Sequence, residues 1–437
     1  MGKRKQKRFE PYELRDVTLE KFVNGGQALG YVKNESGDKT VFVYGAIPGE
    51  VTNILVTKAK RGILEAVATE IKLKSVNRAE PRELEAYLST SPWQILDFGY
   101  ENEVKLSLLK QTFKHEAGID LEEVEIYAGS DEYGYRNKME YNFWGDATGV
   151  NLALHKRGTG QKIKLSGSAL ASDAINKAGE ELINLLNQNK VFAGDLKSLV
   201  LRSNKKGECV AALFVKKEEF DEFEIPDSLK GLVCYYSNPK SPASVKTAKL
   251  WQKGDVKLSD LVCGTNLEYD VDSFFQVNVP VFEKAIEDIR EHLNSGTKEL
   301  TDFYGGVGSI GVLTAQGKPL KIVEVHEDSA KMAEENLAKL KLKNAEVICL
   351  PGEESVDSII EDSTLIVDPP RAGLHKKVVQ QISEIKPKQV VYLSCNPVTQ
   401  ARDVKILLEA GYKISFAKGY NFFPKTPHIE SLVVLEC

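Results

Sequence analysis

Apolar positions along this chain change their period from one region to the next. Between residues 12 and 74, alternating runs at 14–23, 30–34, 39–44, 50–58 and 64–71 are punctuated by Gly25-Gly26, Gly37-Asp38 and Pro48-Gly49. That spacing predicts five short strands of a small barrel. Residues 101–116 then carry helical spacing, with Val104, Leu108 and Leu109 apolar, and this helix is expected to pack on the C-terminal part of the chain despite its early position. Alternation returns over 135–268, as in Leu199-Val200-Leu201-Arg202 and Val210-Ala211-Ala212-Leu213-Phe214-Val215, and predicts a central α+β domain with an antiparallel sheet. Beyond it, an amphipathic helix at 278–293 (Phe282, Ile286, Ile289, Leu293) leads into an α/β alternation. Leu365-Ile366-Val367 and Val390-Val391-Tyr392-Leu393 have the length and composition of buried parallel strands. A crossover helix is expected at 327–340, and Val433-Val434-Leu435 is expected to close the sheet as its last strand. The fold class is therefore α/β, with expected domains at 1–75, 76–265 and 266–437.

Composition narrows the picture. A chain of 437 residues with 42% apolar content buries full cores in two or three domains. It has no apolar run of membrane-spanning length, and its start, Met1-Gly2-Lys3-Arg4-Lys5-Gln6-Lys7-Arg8, is followed by no apolar region. No membrane span and no signal peptide are expected. The first eight residues read as a basic arm. Six cysteines without a C-x-x-C pair point to a reduced, cytoplasmic protein without structural zinc. With a net charge of −5, any nucleic-acid partner must be held by local basic patches. Lys58, Lys60, Arg61, Lys72, Lys74 and Arg78 offer one such patch, and Lys156 and Arg157 extend it.

Candidate chemistry lies at the ends of the C-terminal strands. Asp302-Phe303-Tyr304-Gly305-Gly306-Val307-Gly308 is a strand entering a glycine turn that opens a helix, and Glu324 ends the next strand. Glycines at Gly306 and Gly308 let backbone approach a ligand, and an acid about 20 residues on can accept from both ribose hydroxyls. The G-G-x-G form lacks the dinucleotide pattern, so a nucleoside without pyrophosphate is expected, and S-adenosylmethionine fits. Tyr304 would lie against the adenosine. Cys395 falls just past a strand end, facing a crevice, where a thiolate can act as a nucleophile. Asp368 ends another strand within reach of a methionyl amine or of a substrate's edge, and Arg371 after it could polarise a carbonyl or bind a phosphate.

In this order, Asp302 to Gly308, Asp368-Pro369-Pro370-Arg371, Ser394-Cys395-Asn396-Pro397 and Pro427-His428-Ile429-Glu430 resemble the RNA 5-methyluridine methyltransferases. Ser273-Phe274-Phe275-Gln276-Val277-Asn278 and Tyr135-Arg136-Asn137 are similar to further signatures of that family. The block from Gly25 to Glu50 resembles a TRAM domain, an OB-type barrel. The resemblance implies an RNA-binding barrel, a central RNA-binding domain and a Rossmann-like methyltransferase domain. It implies Glu430 as a base, Gln276 as a cofactor contact and Arg136 as a substrate contact, with S-adenosylmethionine as cofactor and structured RNA, tRNA or ribosomal RNA, as partner of a monomeric enzyme. Many members carry a C-x5-C-x2-C run that holds an iron–sulfur cluster. Here the matching stretch is Ala86-Tyr87-Leu88-Ser89-Thr90-Ser91-Pro92-Trp93-Gln94, and the first cysteine of the chain is Cys209, so no cluster is expected.

Uridine carbon 5 is too weak a nucleophile to take a methyl group unaided, so a nucleophile must first add at carbon 6, and Cys395 is the candidate. The proton left on carbon 5 must then be removed by Glu430 or by His428, whose ordinary pKa suits the task. Three other readings stand beside this one. An amino-group methyltransferase also uses a D/N-P-P loop, but an aromatic usually follows it. A cytosine carbon-5 methyltransferase shares the cysteine addition, and an RNA-binding protein with a vestigial site would need none of these residues.

Overall fold

The computed structural model describes residues 9–33, 38–159 and 161–437. The basic arm through Arg8, the end of the second predicted strand at residue 34 and Gly37 of its turn lie outside the described residues. Strands Tyr12–Phe22, Ala28–Val32, Lys39–Tyr44, Val51–Lys60 and Ile63–Leu73 close into a barrel, with the fifth strand between the third and the fourth. Closure removes free strand edges, and inward residues such as Val17, Leu19, Val41, Val43, Ile54 and Val56 fill the interior.

The central sheet has seven strands in the order Ala248–Gly254, Leu229–Tyr236, Cys209–Val215, Leu196–Ser203, Lys138–Asp146, Gly149–His155 and Lys162–Leu165. Its pairings are antiparallel except that between Cys209–Val215 and Leu229–Tyr236. Helix Asp173–Gln188 buries Ile175, Ala178, Leu182 and Leu186 against it. A hairpin, Lys257–Val262 with Thr265–Asp270, leads to the C-terminal layer.

That layer is an eight-stranded sheet in the order Ala345–Ile348, Leu320–Val323, Glu299–Phe303, Ser363–Val367, Gln389–Ser394, Glu430–Glu436, Lys413–Asn421 and Glu125–Ala128. The first five strands are parallel. The strand order reverses at Glu299–Phe303, whose neighbours on either side come later in the chain, so a crevice opens at its C-terminal end. Two expectations are corrected here. The last strand, Glu430–Glu436, does not lie at the sheet's edge: it pairs antiparallel with Gln389–Ser394 on one side and Lys413–Asn421 on the other. The edge is Glu125–Ala128, parallel to Lys413–Asn421. Helix Phe98–Ala117, capped by Asp97 and ended by Gly118 at φ 72°, packs on helix Pro397–Glu409. Residues from the stretch expected as a central domain thus build part of the C-terminal layer.

Candidate active site

Glu299–Phe303 ends in Asp302, which is fully buried, and Tyr304, whose φ is 63°. The turn continues through Gly306 and Gly308 at φ 57° and 83°, a region where a side chain is strained. Glu324 is held by backbone: its carboxylate accepts from Gly306 N–H and His326 N–H, each at 2.8 Å. Its remaining lone pairs stay free for hydroxyl donors. Asp302 accepts from Gly311 N–H at 2.7 Å through Oδ2, while its buried Oδ1 has no partner among the described residues. Burial, with the charges of Asp368 and Glu324 adding to it, lifts the Asp302 carboxyl to about 7.

Asp368, half-buried at the crevice, is likewise raised to about 7 by loss of hydration, and Gln276 Nε2 reaches its Oδ2 at 3.4 Å. Gln276 is placed from the central sheet. Arg202, a fully buried guanidinium, donates to the carbonyls of Asp270 (2.8 Å), Ser273 (2.5 Å) and Phe275 (3.1 Å). Beside Gln276, the Phe274 ring is 58% exposed, which is unusual for so large an apolar side chain.

The two loops that carry Asp368 and Cys395 are tied together. Asn396 caps helix Pro397–Glu409, and its Nδ2 donates to Arg371 O at 2.7 Å. Behind them, buried Asp403 accepts from Tyr392 Oη and Leu374 N–H, each at 2.9 Å. The Cys395 thiol, partly exposed, is pushed up to about 11 by burial and then by the negative charges of Glu430 and Asp368, against Arg371. The helix N-terminus next to it favours the thiolate by roughly 0.3–1 kcal/mol. That is less than one pK unit and does not undo the combined opposing effects.

Glu430, the first residue of its strand, is 5% exposed, and burial followed by the Asp368 charge raises its carboxyl well above the usual range. His428 is an exposed residue at the rim, with Arg371 Nη2 3.4 Å from its ring Nε2. Crowding by protein, then the cations Arg371, Lys105, Arg136 and Arg157, lowers it to about 4. Arg136 lies 5.9 Å from the Phe423 ring centre, and its buried Nε has no partner among the described residues. Among the described residues no ion pair holds it there.

The structure therefore gathers Cys395, Glu430, Asp368, Arg371 and His428 at one group of strand ends, with Gln276, Tyr304, Gly306, Gly308 and Glu324 along the adjoining crevice. Arg136 joins from the segment just before the central-sheet strand Lys138–Asp146, where it bridges to Ala171. Sequence reasoning missed Phe274 and the unpaired Asp302, although a carboxylate directly before a glycine turn was a signal for the latter. It also overcounted the barrel's cations. Lys58, Lys72 and Lys74 pair with Glu65, Glu70 and Glu80. Arg78 is 9% exposed and clamps buried Glu50 at 2.6 Å, so it is structural.

In the stretch matching the family's cluster site, Gln94 Nε2 donates to Glu83 Oε2 and Ser91 Oγ, each at 2.6 Å, and Thr90 Oγ1 to Glu83 Oε2 at 2.9 Å. Among the described residues no group of three or more His, Cys, Asp or Glu side chains is arranged to hold a metal ion. Nor is any helix there long and apolar enough to cross a membrane.

Comparison with known proteins agrees with this geometry. The sequence profile of the tRNA (Uracil-5-)-methyltransferase family matches residues 99–437, and that of the TRAM domain matches residues 9–69. An uncharacterized RNA methyltransferase of Fusobacterium nucleatum is 26% identical over 99% of this chain and 98% of its own. Another, of Caldanaerobacter subterraneus, is 28% identical over 97% and 99%. The crystal structure of Pyrococcus abyssi tRNA (uracil-54, C5)-methyltransferase in complex with S-adenosyl-L-homocysteine shares the fold. Its TM-score is 0.77 at 24% identity, over 97% of this chain and 100% of that one. The chain belongs to the tRNA (Uracil-5-)-methyltransferase family and is an S-adenosylmethionine-dependent RNA (uracil-5-)-methyltransferase with a TRAM domain. Its crevice fits that cofactor: Glu324 and half-buried Asp368 bring carboxyl groups to it, and the buried, unpartnered oxygen of Asp302 lies behind them, an acidic surrounding suited to a sulfonium and an ammonium group.

Proposed function

We propose that this protein methylates carbon 5 of a uridine in a structured RNA, a tRNA or a ribosomal RNA, through covalent addition of Cys395 to carbon 6, and that it acts as a cytoplasmic monomer. The observation that carries the reading is the meeting of Glu430, at the start of one strand, with Asp368 and Arg371, in the loop after another, around the Cys395 thiol. Glu324, Asp302, Asp368 and Gln276, with Tyr304 and the turn at Gly306 and Gly308, would hold the cofactor. When bound, S-adenosylmethionine supplies an electrophilic methyl group.

The thiolate of Cys395 forms a bond to carbon 6, and the carbon 5–carbon 6 electron pair moves toward the ring carbonyl as an enolate. Arg371, at the rim of the crevice, is the cation suited to stabilise that charge. Exposed Phe274 offers a stacking face to the base, and the unpaired Nε of Arg136 offers a donor to the RNA. Once carbon 5 carries the methyl group, Glu430 takes the remaining proton. The carbon 5–carbon 6 double bond reforms as the carbon–sulfur bond breaks, returning the thiolate. Glu430 is favoured over His428 as this base because burial makes a carboxylate more basic than usual, whereas burial and the cations around it weaken the histidine.

The test is mass mapping of cellular RNA with and without the protein, followed by transfer from labelled cofactor to the mapped RNA. 5-Methyluridine at a defined position is expected. 5-Methylcytosine would move the assignment to cytosine, and no transfer to any RNA would leave an RNA-binding role only.

A further inference from the structure

The turn joining the first two barrel strands reaches out of the barrel into the catalytic layer. Gly25 and Gly26 have φ of 101° and 87°. A Cβ added at Gly26 would lie 2.6 Å from Pro427 Cβ and 3.1 Å from Trp93 Nε1, so the bare backbone of the turn is packed on the segment leading to His428 and Glu430. Trp93 joins the two parts. Its Nε1 donates to Gly26 O at 3.0 Å, its backbone N–H donates to Lys425 O at 3.1 Å, and its indole is 1% exposed. Asn24 Nδ2 donates to Thr112 Oγ1 at 3.1 Å on helix Phe98–Ala117. Between the turn and the cysteine loop lies a cavity of about 110 Å³ lined by Asn24, Gly25, Cys395, Asn396, Pro427 and His428, among others.

The far side of the same segment is fixed by charges that have no contact with water. Glu101 and Lys105 pair at 2.8 Å with neither side chain exposed. The Glu101 carboxylate accepts from Lys425 N–H at 3.0 Å and from Asn421 Nδ2 at 3.1 Å. Lys105 Nζ donates to Asn421 Oδ1 at 2.6 Å and Phe423 O at 3.0 Å. A buried ion pair is poor value for stability unless its remaining hydrogen bonds are satisfied, and here they are satisfied by residues 421–425. This half of the clamp is rigid. The other half is the barrel turn.

We propose that Asn24, Gly26 and Trp93 are positioning residues of the active site, seating residues 427–430 against Cys395, so that the barrel contributes to turnover as well as to RNA affinity. This rests on the reading of Cys395 and Glu430 given above. A shift of about 1 Å in a reacting group costs on the order of 100-fold in rate. Removing one strut should therefore lower kcat while leaving ground-state binding intact.

Trp93→Phe keeps the buried ring, whose centre lies 5.1 Å from that of Phe22, and deletes only the donor to Gly26. Asn24→Ala deletes the tie to Thr112 and one cavity wall. In the full chain, each should lower kcat roughly tenfold or more on an RNA that the wild type methylates. RNA and S-adenosylmethionine dissociation constants should not move, and denaturing gels should show a larger covalent protein–RNA fraction at steady state, because base removal is the step displaced. Unchanged kcat in both variants, or a loss confined to RNA affinity, overturns the proposal. Should Trp93→Phe fail to fold, Asn24→Ala decides. Failure of the wild type to form methyluridine on any RNA would sink the functional reading instead.

Discussion

Asn396 donates from Nδ2 to the carbonyl oxygen of Arg371 at 2.7 Å, while its Oδ1 accepts from Val398 N–H at 3.2 Å. One side chain thus caps the helix behind Cys395 and fixes the loop that carries Asp368 and Arg371. The two duties can be separated. Asn396→Ser retains a capping oxygen and should cost little stability, whereas Asn396→Ala should lose about 1 kcal/mol in thermal or denaturant unfolding. Both lose the tie between loops, so both should lower kcat by roughly 10–100-fold. A serine variant with wild-type kcat would show that the tie is dispensable.

Asp302 lends itself to a pH test. Its folded carboxyl sits at about 7, against ~3.9 in an unfolded chain. A raised carboxyl contributes stability that is present below the unfolded value and lost as pH rises through the folded one. Asp302→Asn removes that loss and leaves an acceptor for Gly311 N–H. Without cofactor, the variant should melt above wild type near about pH 8, by on the order of 1–4 kcal/mol, with the gap narrowing as pH falls and closing below about pH 4. It should also bind S-adenosylmethionine at least about tenfold more weakly at the higher pH, where a charged partner is lost. If the variant melted below wild type at pH 8, the charge would not be a source of strain.

Much of this architecture is written in short-range pattern. The barrel strands follow from alternation broken by Gly and Pro, and the strand-end motifs follow from runs such as Ser363–Val367 that are buried on both faces. What pattern misses is pairing at a distance. Glu125–Ala128 is four residues long with no fully buried position, and its partner comes from the far end of the chain, so nothing local marks it as a strand. Charges mislead in the same way. Glu101, Lys105 and Arg78 look like a solvated surface in sequence, yet the Glu101–Lys105 pair of one helix is buried under residues 421–425, and Arg78 is held by Glu50 from the barrel. Cys395 was recognisable from the loop around it, but its high pKa depends on burial and then on Glu430 and Asp368, all of which reach it only through the fold.

The barrel cations lead to a narrower RNA-binding prediction than their number suggests. Lys60 and Arg61, at the exposed turn between strands Val51–Lys60 and Ile63–Leu73, remain after the paired residues are set aside. If both touch phosphates of a single strand, replacing them with Ala should reduce the slope of log affinity against log salt by about 1.4 in total. Arg78→Ala should leave that slope alone and instead destabilise the fold by roughly 3–5 kcal/mol, because Glu50 would be left buried and unpaired. A double variant with the wild-type slope would place the RNA away from this turn.

The proposed division of labour between Cys395 and Glu430 predicts two different failures. Addition of the thiolate comes first, so Cys395→Ala should give neither methyluridine nor a covalent complex. Proton removal comes after methyl transfer, so Glu430→Gln should still add and methylate but release slowly, with turnover lowered by the ~10²–10⁴ typical of a positioned general base. Methylated RNA should then remain attached to the protein, and a denaturing gel with labelled cofactor should show a retarded band. Burial and then the Glu430 charge raise the Cys395 thiol, and the same substitution removes that charge, so alkylation of Cys395 at fixed alkaline pH should be faster in Glu430→Gln than in wild type. That second readout needs no RNA, and because damage that exposed the thiol would also speed its reaction, it is read together with an unchanged melting temperature, which separates loss of the base from general damage to the site. If Glu430→Gln turned over normally while His428→Asn trapped the adduct, the base would be His428. If Cys395→Ala still made methyluridine, the covalent route itself would be wrong.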